Sequence, residues 1–294
     1  MQLAYPLEQF RTDFARHVEF LKNCAVEQVP LYVMLGKGER DHWFGEGAGL
    51  DRMAEILREQ VAEIRGQGLA IDVIYAGGGM AATVLDNPEQ QEEWRYLCPL
   101  CAALGIKIIS LGLPNPARAE GDAAWFARLV EGYQWLADVA AEHRLRICSH
   151  HGVDYGRRFY TLEDYEELFT AIARPNCGLL FCFGNIALAE IDVPTAIRRL
   201  APWVFAVHVR QVTGTFPAGG EEKQLHDGTI DLPACLRTLQ EIGYRGILHP
   251  EHFGKFSTAQ PAEQRPIFSQ LSLEPDGPTL AWNLAYLKGL MDSL

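Results

Sequence analysis

The chain has 294 residues, 48% of them hydrophobic and 22% charged, and 26 Lys and Arg against 38 Asp and Glu leave a net charge of −12. That apolar content excludes intrinsic disorder as a whole-chain description, and no run approaches the roughly 18 uninterrupted apolar residues of a membrane span. The acidic balance, with no Lys/Arg run to reverse it locally, argues against nucleic acid and acidic membrane surfaces as partners. The opening segment, MQLAYPLEQFRTDF, has no basic region followed by an apolar run, so no signal peptide is expected. The seven cysteines (24, 98, 101, 148, 177, 182 and 235) are spread through apolar stretches. A cytoplasmic protein with reduced thiols is therefore expected.

In chain order, a short apolar run, a polar loop and an amphipathic helical stretch recur. Strands are predicted at residues 2–5, 30–35, 70–75, 106–111, 145–150, 178–183, 204–209 and 246–250. Met53, Ile56, Leu57, Val61 and Ile64 fall at helical spacing over 51–66. Cys98-Pro-Leu-Cys101 has redox or zinc-like spacing, but it sits in the amphipathic run 92–104 with no second pair, so it reads as core. Thr161 is a plausible N-cap for a helix carrying Tyr165, Leu168, Phe169 and Ile172 up to the breaker Pro175. Leu232, Leu236, Leu239 and Ile242 follow Asp231 and stop at Gly243. A last helix is predicted over 279–290.

Eight strands alternating with helices predict an α/β fold, a single-domain (β/α)8 barrel over residues 1–294. A doubly wound sheet is the alternative, but Gly77-Gly78-Gly79 after the third strand lacks the Lys and the spacing of a phosphate loop. The long irregular stretches, about 210–230 and 253–278, follow the last two strands, where a barrel carries its active-site loops.

The polar residues that stand out lie at strand C-termini. The fifth strand ends in His150 and His151, the sixth in Cys182, the seventh in His208 and Arg210, and the eighth in His249, Glu251 and His252. Side chains alternate along a strand, so His208 and Arg210 share a face, as do His249 and Glu251. If that face is the barrel interior, His150, Cys182, His208 and Glu251 converge from four successive strands, a donor set suited to a divalent metal. His150 continues the inward parity of Cys148 and is preferred to His151. Arg210 suits either a substrate carboxylate or a salt bridge. His252 suits acid–base work near neutral pH or a supporting hydrogen bond. His226, in the loop after the seventh strand, and Trp43 with His42, after the second, are candidates to wall a sugar site; turn chemistry and surface packing are the plain alternatives.

GLLFCFG, VHVRQVTGTF, LHDGTIDLPACLRTLQEIGYRG and HPEH, with the final LAWNLAYLKGL, resemble in order and spacing the motifs of mannonate dehydratase. That family comprises manganese-dependent sugar-acid lyases within the xylose-isomerase-like barrel group. The resemblance implies metal ligation by His150, Cys182 and His208, with Glu251 where the family has aspartate, and catalysis by His252. The family's tyrosine after that histidine has no counterpart between Phe253 and Gly277, which leaves the base unassigned. The expected function is dehydration of an aldonate such as D-mannonate to a 2-keto-3-deoxyaldonate, with a small sugar acid or sugar as partner. The expected cofactor is a divalent metal, manganese before zinc, iron or cobalt. A sugar isomerase or epimerase on the same barrel is the first alternative, favoured by Glu251 and disfavoured by Cys182 and His150. A non-catalytic ligand-binding barrel is the alternative of another class. The sequence is compatible with a homo-oligomer.

Overall fold

A parallel ladder that returns to its own first strand organises the chain. The computed structural model describes residues 1–8, 14–44, 46–77, 81–118, 122–152, 156–251 and 277–294. Its main sheet contains β1 (Gln2–Leu3), β2 (Leu7–Glu8), β3 (Leu31–Met34), β4 (Val73–Gly77), β5 (Ile108–Gly112), β6 (Arg146–His150), β7 (Cys177–Cys182), β8 (Val204–Val209) and β11 (Ile247–Pro250), in the order β1-β11-β8-β7-β6-β5-β4-β3-β2. The two ends of this order are one N-terminal segment. The Ala4 N–H donates to the Leu248 carbonyl, and the Leu7 N–H donates to the Pro30 carbonyl. The strand predicted at 2–5 is the shorter β1, and β2 is a second piece beyond it; the pairing changes sides between Ala4 and Tyr5, whose N–H donates to the Gln28 carbonyl. Together they close the barrel.

Helices cover this sheet: α1 (Phe14–Asn23), α2 (Lys37–Phe44), α3 (Leu50–Gly66), α4 (Pro88–Ala103), α5 (Asp122–Glu142), α6 (Leu162–Ile172), α7 (Phe183–Leu188), α8 (Val193–Arg199), α9 (Leu232–Glu241) and α10 (Gly277–Asp292). The predicted caps are present. Thr161 and Asp164 form a reciprocal capping box on α6. The Asp231 side chain accepts from the Ala234 N–H on α9, and Gly243 takes φ +73° beyond its end. The chain leaves α6 earlier than Pro175 suggests, because Ala173 already turns left-handed. Cys98 and Cys101 are fully buried in α4, as core.

Strand alternation separates two layers. Ala4, Val73, Tyr75, Ile108, Cys148, Leu180, Ala206 and Ile247, with Phe205, pack together inside the barrel. Their strand neighbours Ile74, Ile109, Ile147, Leu179, Val207 and Leu248 join a larger cluster with helix residues such as Leu57, Leu97, Leu168 and Leu236. Each fully buried aliphatic side chain contributes about 1.5–3 kcal/mol, so the inside–outside parity is strongly enforced. The stretch 210–230, expected to be irregular, instead opens as an antiparallel hairpin of β9 (Gln211–Thr215) and β10 (Gly219–Lys223). Within β9, Gly214 pairs with Gly220 at φ +75°, where a Cβ would lie 2.6 Å from the Gly219 carbonyl oxygen, so glycine lets the two strands approach.

Candidate metal centre

The inward parity that puts Cys148 in the barrel core carries His150 to the C-terminal mouth. On the neighbouring strands the same parity carries Cys182, His208 and, just past β11, Glu251. Cys182 pairs in register with His208, and His208 with His249. The Glu251 N–H is held by the Val209 carbonyl.

The ligand atoms of His150, His208 and Glu251 all lie within 4.8 Å of one another. Glu251 Oε2 is the hub, 3.0 Å from His208 Nδ1 and 3.9 Å from His150 Nε2. Cys182 joins through the same oxygen, to which its thiol donates at 3.6 Å. His208, Cys182 and Glu251 are buried, whereas His150 keeps 26% of its side chain exposed at the mouth. Burial, with the Glu251 carboxylate beside it, pushes the Cys182 thiol up to about 12. Two imidazoles and a carboxylate at this spacing, with a thiol alongside, fit a divalent first-row cation. Bound positive charge would favour the thiolate that burial opposes.

His151 points the other way. It is fully buried, its Nε2 accepts the backbone N–H of Cys182 at 2.9 Å, and its Nδ1 is 3.4 Å from the Tyr165 hydroxyl. Burial drives its pKa well below the usual histidine value. It braces the end of β7 from behind the sheet as a neutral imidazole.

Arg210 is buried, with Nη1 donating to Asn185 Oδ1 at 2.8 Å and Nη2 in an ion pair with buried Glu222 of the hairpin. Burial alone would lower its pKa, but Glu222 and Cys182 keep it raised. Gly184 makes room for this arm: a Cβ there would fall 2.8 Å from Arg210 Cγ and Cδ. Arg210 thus sits in a buried salt bridge with Glu222. His226 lies on the exposed surface, accepting from Trp282 Nε1 at 3.1 Å. Trp43 and His42 fall on α2, but their side chains lie outside the described residues, as does His252 and most of the stretch 253–278.

Strand-end polarity alone does not single out Tyr75, Glu222 or Asn185. Tyr75 is in the barrel core, its hydroxyl 3.0 Å from His249 Nδ1 and 3.4 Å from His208 Nε2. Parity from Val73 would place it there. No local signal points to Glu222, which reaches the site only because the hairpin folds back.

A family model described as Xylose isomerase-like TIM barrel matches residues 49–268, and the chain belongs to that family. Mannonate dehydratase from Oceanobacillus iheyensis is 30% identical over 97 residues, 31% of this chain and 27% of that protein. Inosose dehydratase from Yersinia enterocolitica is 26% identical over 142 residues, 42% of this chain and 46% of that protein. The matched segments thus span less than half of either relative. Among solved structures, mannonate dehydratase from Streptococcus suis superposes with a TM-score of 0.72 at 14% identity, covering 100% of this chain and 93% of that one. The zinc-bound IOLI protein superposes at 0.67 and 14% identity, covering 100% and 99%. At these identities the likeness is one of fold.

Proposed function

We propose that this protein is a divalent-metal-dependent dehydratase acting on a sugar acid, converting an aldonate to a 2-keto-3-deoxyaldonate and water. The observation that carries the reading is the convergence of His150, His208 and Glu251 within 4.8 Å at the barrel mouth, with the Cys182 thiol 3.6 Å from the same carboxylate. Relatives named mannonate dehydratase and inosose dehydratase support the reaction class, and a zinc-bound neighbour of the same fold supports a metal.

In this reading His150, Cys182, His208 and Glu251 hold the cation. When bound, it would stabilise as a Lewis acid the negative charge that builds on the substrate carboxylate as a base, unassigned because the family tyrosine has no counterpart here, takes the adjacent proton. His252, next to Glu251 in the chain, donates the proton that lets the 3-hydroxyl depart as water. Arg210, held by Glu222 and Asn185, keeps the Cys182 side of the site in place. Trp43 and His226, on segments that follow strand ends, are the proposed substrate contacts. Manganese is the proposed working metal. All seven cysteines are free, which suits the reducing cytoplasm we propose for the protein. Among the described residues no helix is long and apolar enough to cross a membrane.

The test is metal analysis of the purified protein, followed by assay of sugar acids and ketoses with manganese, monitored for 2-keto-3-deoxy products. A metal-bearing protein that forms such a product supports the proposal. Interconversion of ketoses without loss of water would replace it with an isomerase or epimerase. In the active case, His208→Ala should lose metal and turnover together. His252→Ala should keep the metal while turnover falls about 10²–10⁴-fold, the usual contribution of a positioned acid. Near wild-type turnover of His252→Ala at saturating manganese would remove the acid role.

A further inference from the structure

The hydrogen bonds on the far side of the His208 imidazole are not used by the metal centre as drawn. His208 Nδ1 faces the cluster, 3.0 Å from Glu251 Oε2. Its other nitrogen, Nε2, faces the Tyr75 hydroxyl at 3.4 Å, and that hydroxyl is 3.0 Å from His249 Nδ1. The three rings are packed together: Tyr75 lies 5.8 Å from each imidazole, and the two imidazoles stand nearly perpendicular with centroids 4.3 Å apart. All three residues are buried, coming from β4, β8 and β11. In so dry a place each proton in the chain constrains the next, because water does not readily replace a lost partner.

A phenol donates one proton and accepts on its oxygen. We propose that Tyr75 and His249 are positioning residues that fix the tautomer of His208. Its Nε2–H donates to the Tyr75 oxygen, Tyr75 donates its own proton to His249 Nδ1, and His208 Nδ1 is left as a lone pair directed at the cluster. The proposal rests on the metal-centre reading of the site. Its physical content is a competition at Nδ1. A proton there would block the ligand position, and it gains no hydrogen bond in return, because Nδ1 is buried without a hydrogen-bond partner although 3.0 Å from Glu251 Oε2. A lone pair there repels the carboxylate until a cation joins the two. The Tyr75–His249 chain decides between these states by offering Nε2–H a partner, so it favours metal binding without touching the metal.

The test uses the full chain stripped with a chelator and titrated with Co²⁺, followed by its visible spectrum and by calorimetry. Tyr75→Phe keeps the ring in the barrel core, and His249→Leu removes the final acceptor. Both should weaken Co²⁺ binding about 10–100-fold and alter the spectrum, with a fall in the metal-free melting temperature because each strands a buried polar group. His249→Asn, whose amide oxygen can accept in place of Nδ1, should restore most of the affinity. Tyr75→Phe that binds Co²⁺ like the wild type, with the same spectrum, overturns the proposal. So does an affinity loss that is not rescued by His249→Asn. Wild-type protein that binds no Co²⁺ is the distinct result that overturns the metal-centre reading and, with it, this one.

Discussion

His150 and His151 leave the end of β6 on opposite faces of the sheet, and the tasks available to them follow from that. His150 continues the Cys148 parity into the mouth, where its Nε2 is 3.9 Å from Glu251. His151 enters the layer between sheet and helices and accepts the Cys182 N–H. Substituting the two should separate stability from metal binding. His151→Ala strands a buried backbone donor and should cost about 1–3 kcal/mol, read as a lower denaturation midpoint of the metal-free protein. His150→Ala removes a partly exposed side chain and should leave that midpoint nearly unchanged while weakening manganese binding. The reverse pattern, with metal binding tracking His151, would reassign the ligand. Parity counted from Cys148 makes the preference for His150 legible in the sequence. The Cys182 N–H that occupies His151 is a long-range contact with no local signature.

At the scale of the element, α6 gives a test with a defined pH sign. Asp164 is its N3 residue, accepting the N–H groups of Tyr160 and Thr161 and taking Arg118 and Arg158 as ionic partners. Burial raises its pKa, but the hydrogen bonds from Thr161, Tyr160 and Arg118 outweigh that and hold it below the usual carboxylate value. A carboxyl with a depressed folded pKa binds its proton more readily in the unfolded chain. Its stabilisation is therefore present above the unfolded value of about 3.9 and is lost as pH falls through the lower folded value. Asp164→Asn should melt below the wild type at neutral pH, and the gap should close as pH drops below about 4. A gap constant down to the acid limit would contradict the assignment. The Thr161 cap is written locally, as hydroxyl and spacing. Of the two arginines that complete it, Arg158 lies in the same loop, six residues before Asp164, and Arg118 comes from the loop after β5.

For the whole molecule, closure of the barrel and the proposed cation belong together. β6, β7, β8 and β11 are consecutive in the sheet, so the four proposed ligands are brought close only when those strands have paired. A ligand that binds the folded state alone stabilises it by about 2.7 kcal/mol at a hundredfold excess over Kd. Manganese should therefore raise the melting temperature by several degrees, a chelator should reverse the rise, and His208→Ala should abolish it. We expect one cooperative transition, as for a single domain over residues 1–294. An unchanged melting temperature with saturating manganese, or two transitions shifting independently, would count against this picture.

The sequence by itself determined the periodicities: strands alternating with helices, caps at Thr161 and Asp231, a stop at Gly243, and polar residues at the ends of successive strands. These are local properties, set by side-chain size, backbone preference and the two-residue repeat of a strand. The relation between separate strands was decided in three dimensions. The N-terminal segment changes partner between Ala4 and Tyr5, and its two short strands join β11 to β3. The stretch after β8 is a hairpin in which Gly214 lets β9 and β10 approach and Glu222 finds Arg210. Tyr75 meets His208 and His249 because β4 contributes to the same closed interior. Each of these depends on which buried polar group finds a partner across long sequence separation. That pairing is enforced by the cost of leaving such groups unsatisfied in the core, and no window of sequence carries it.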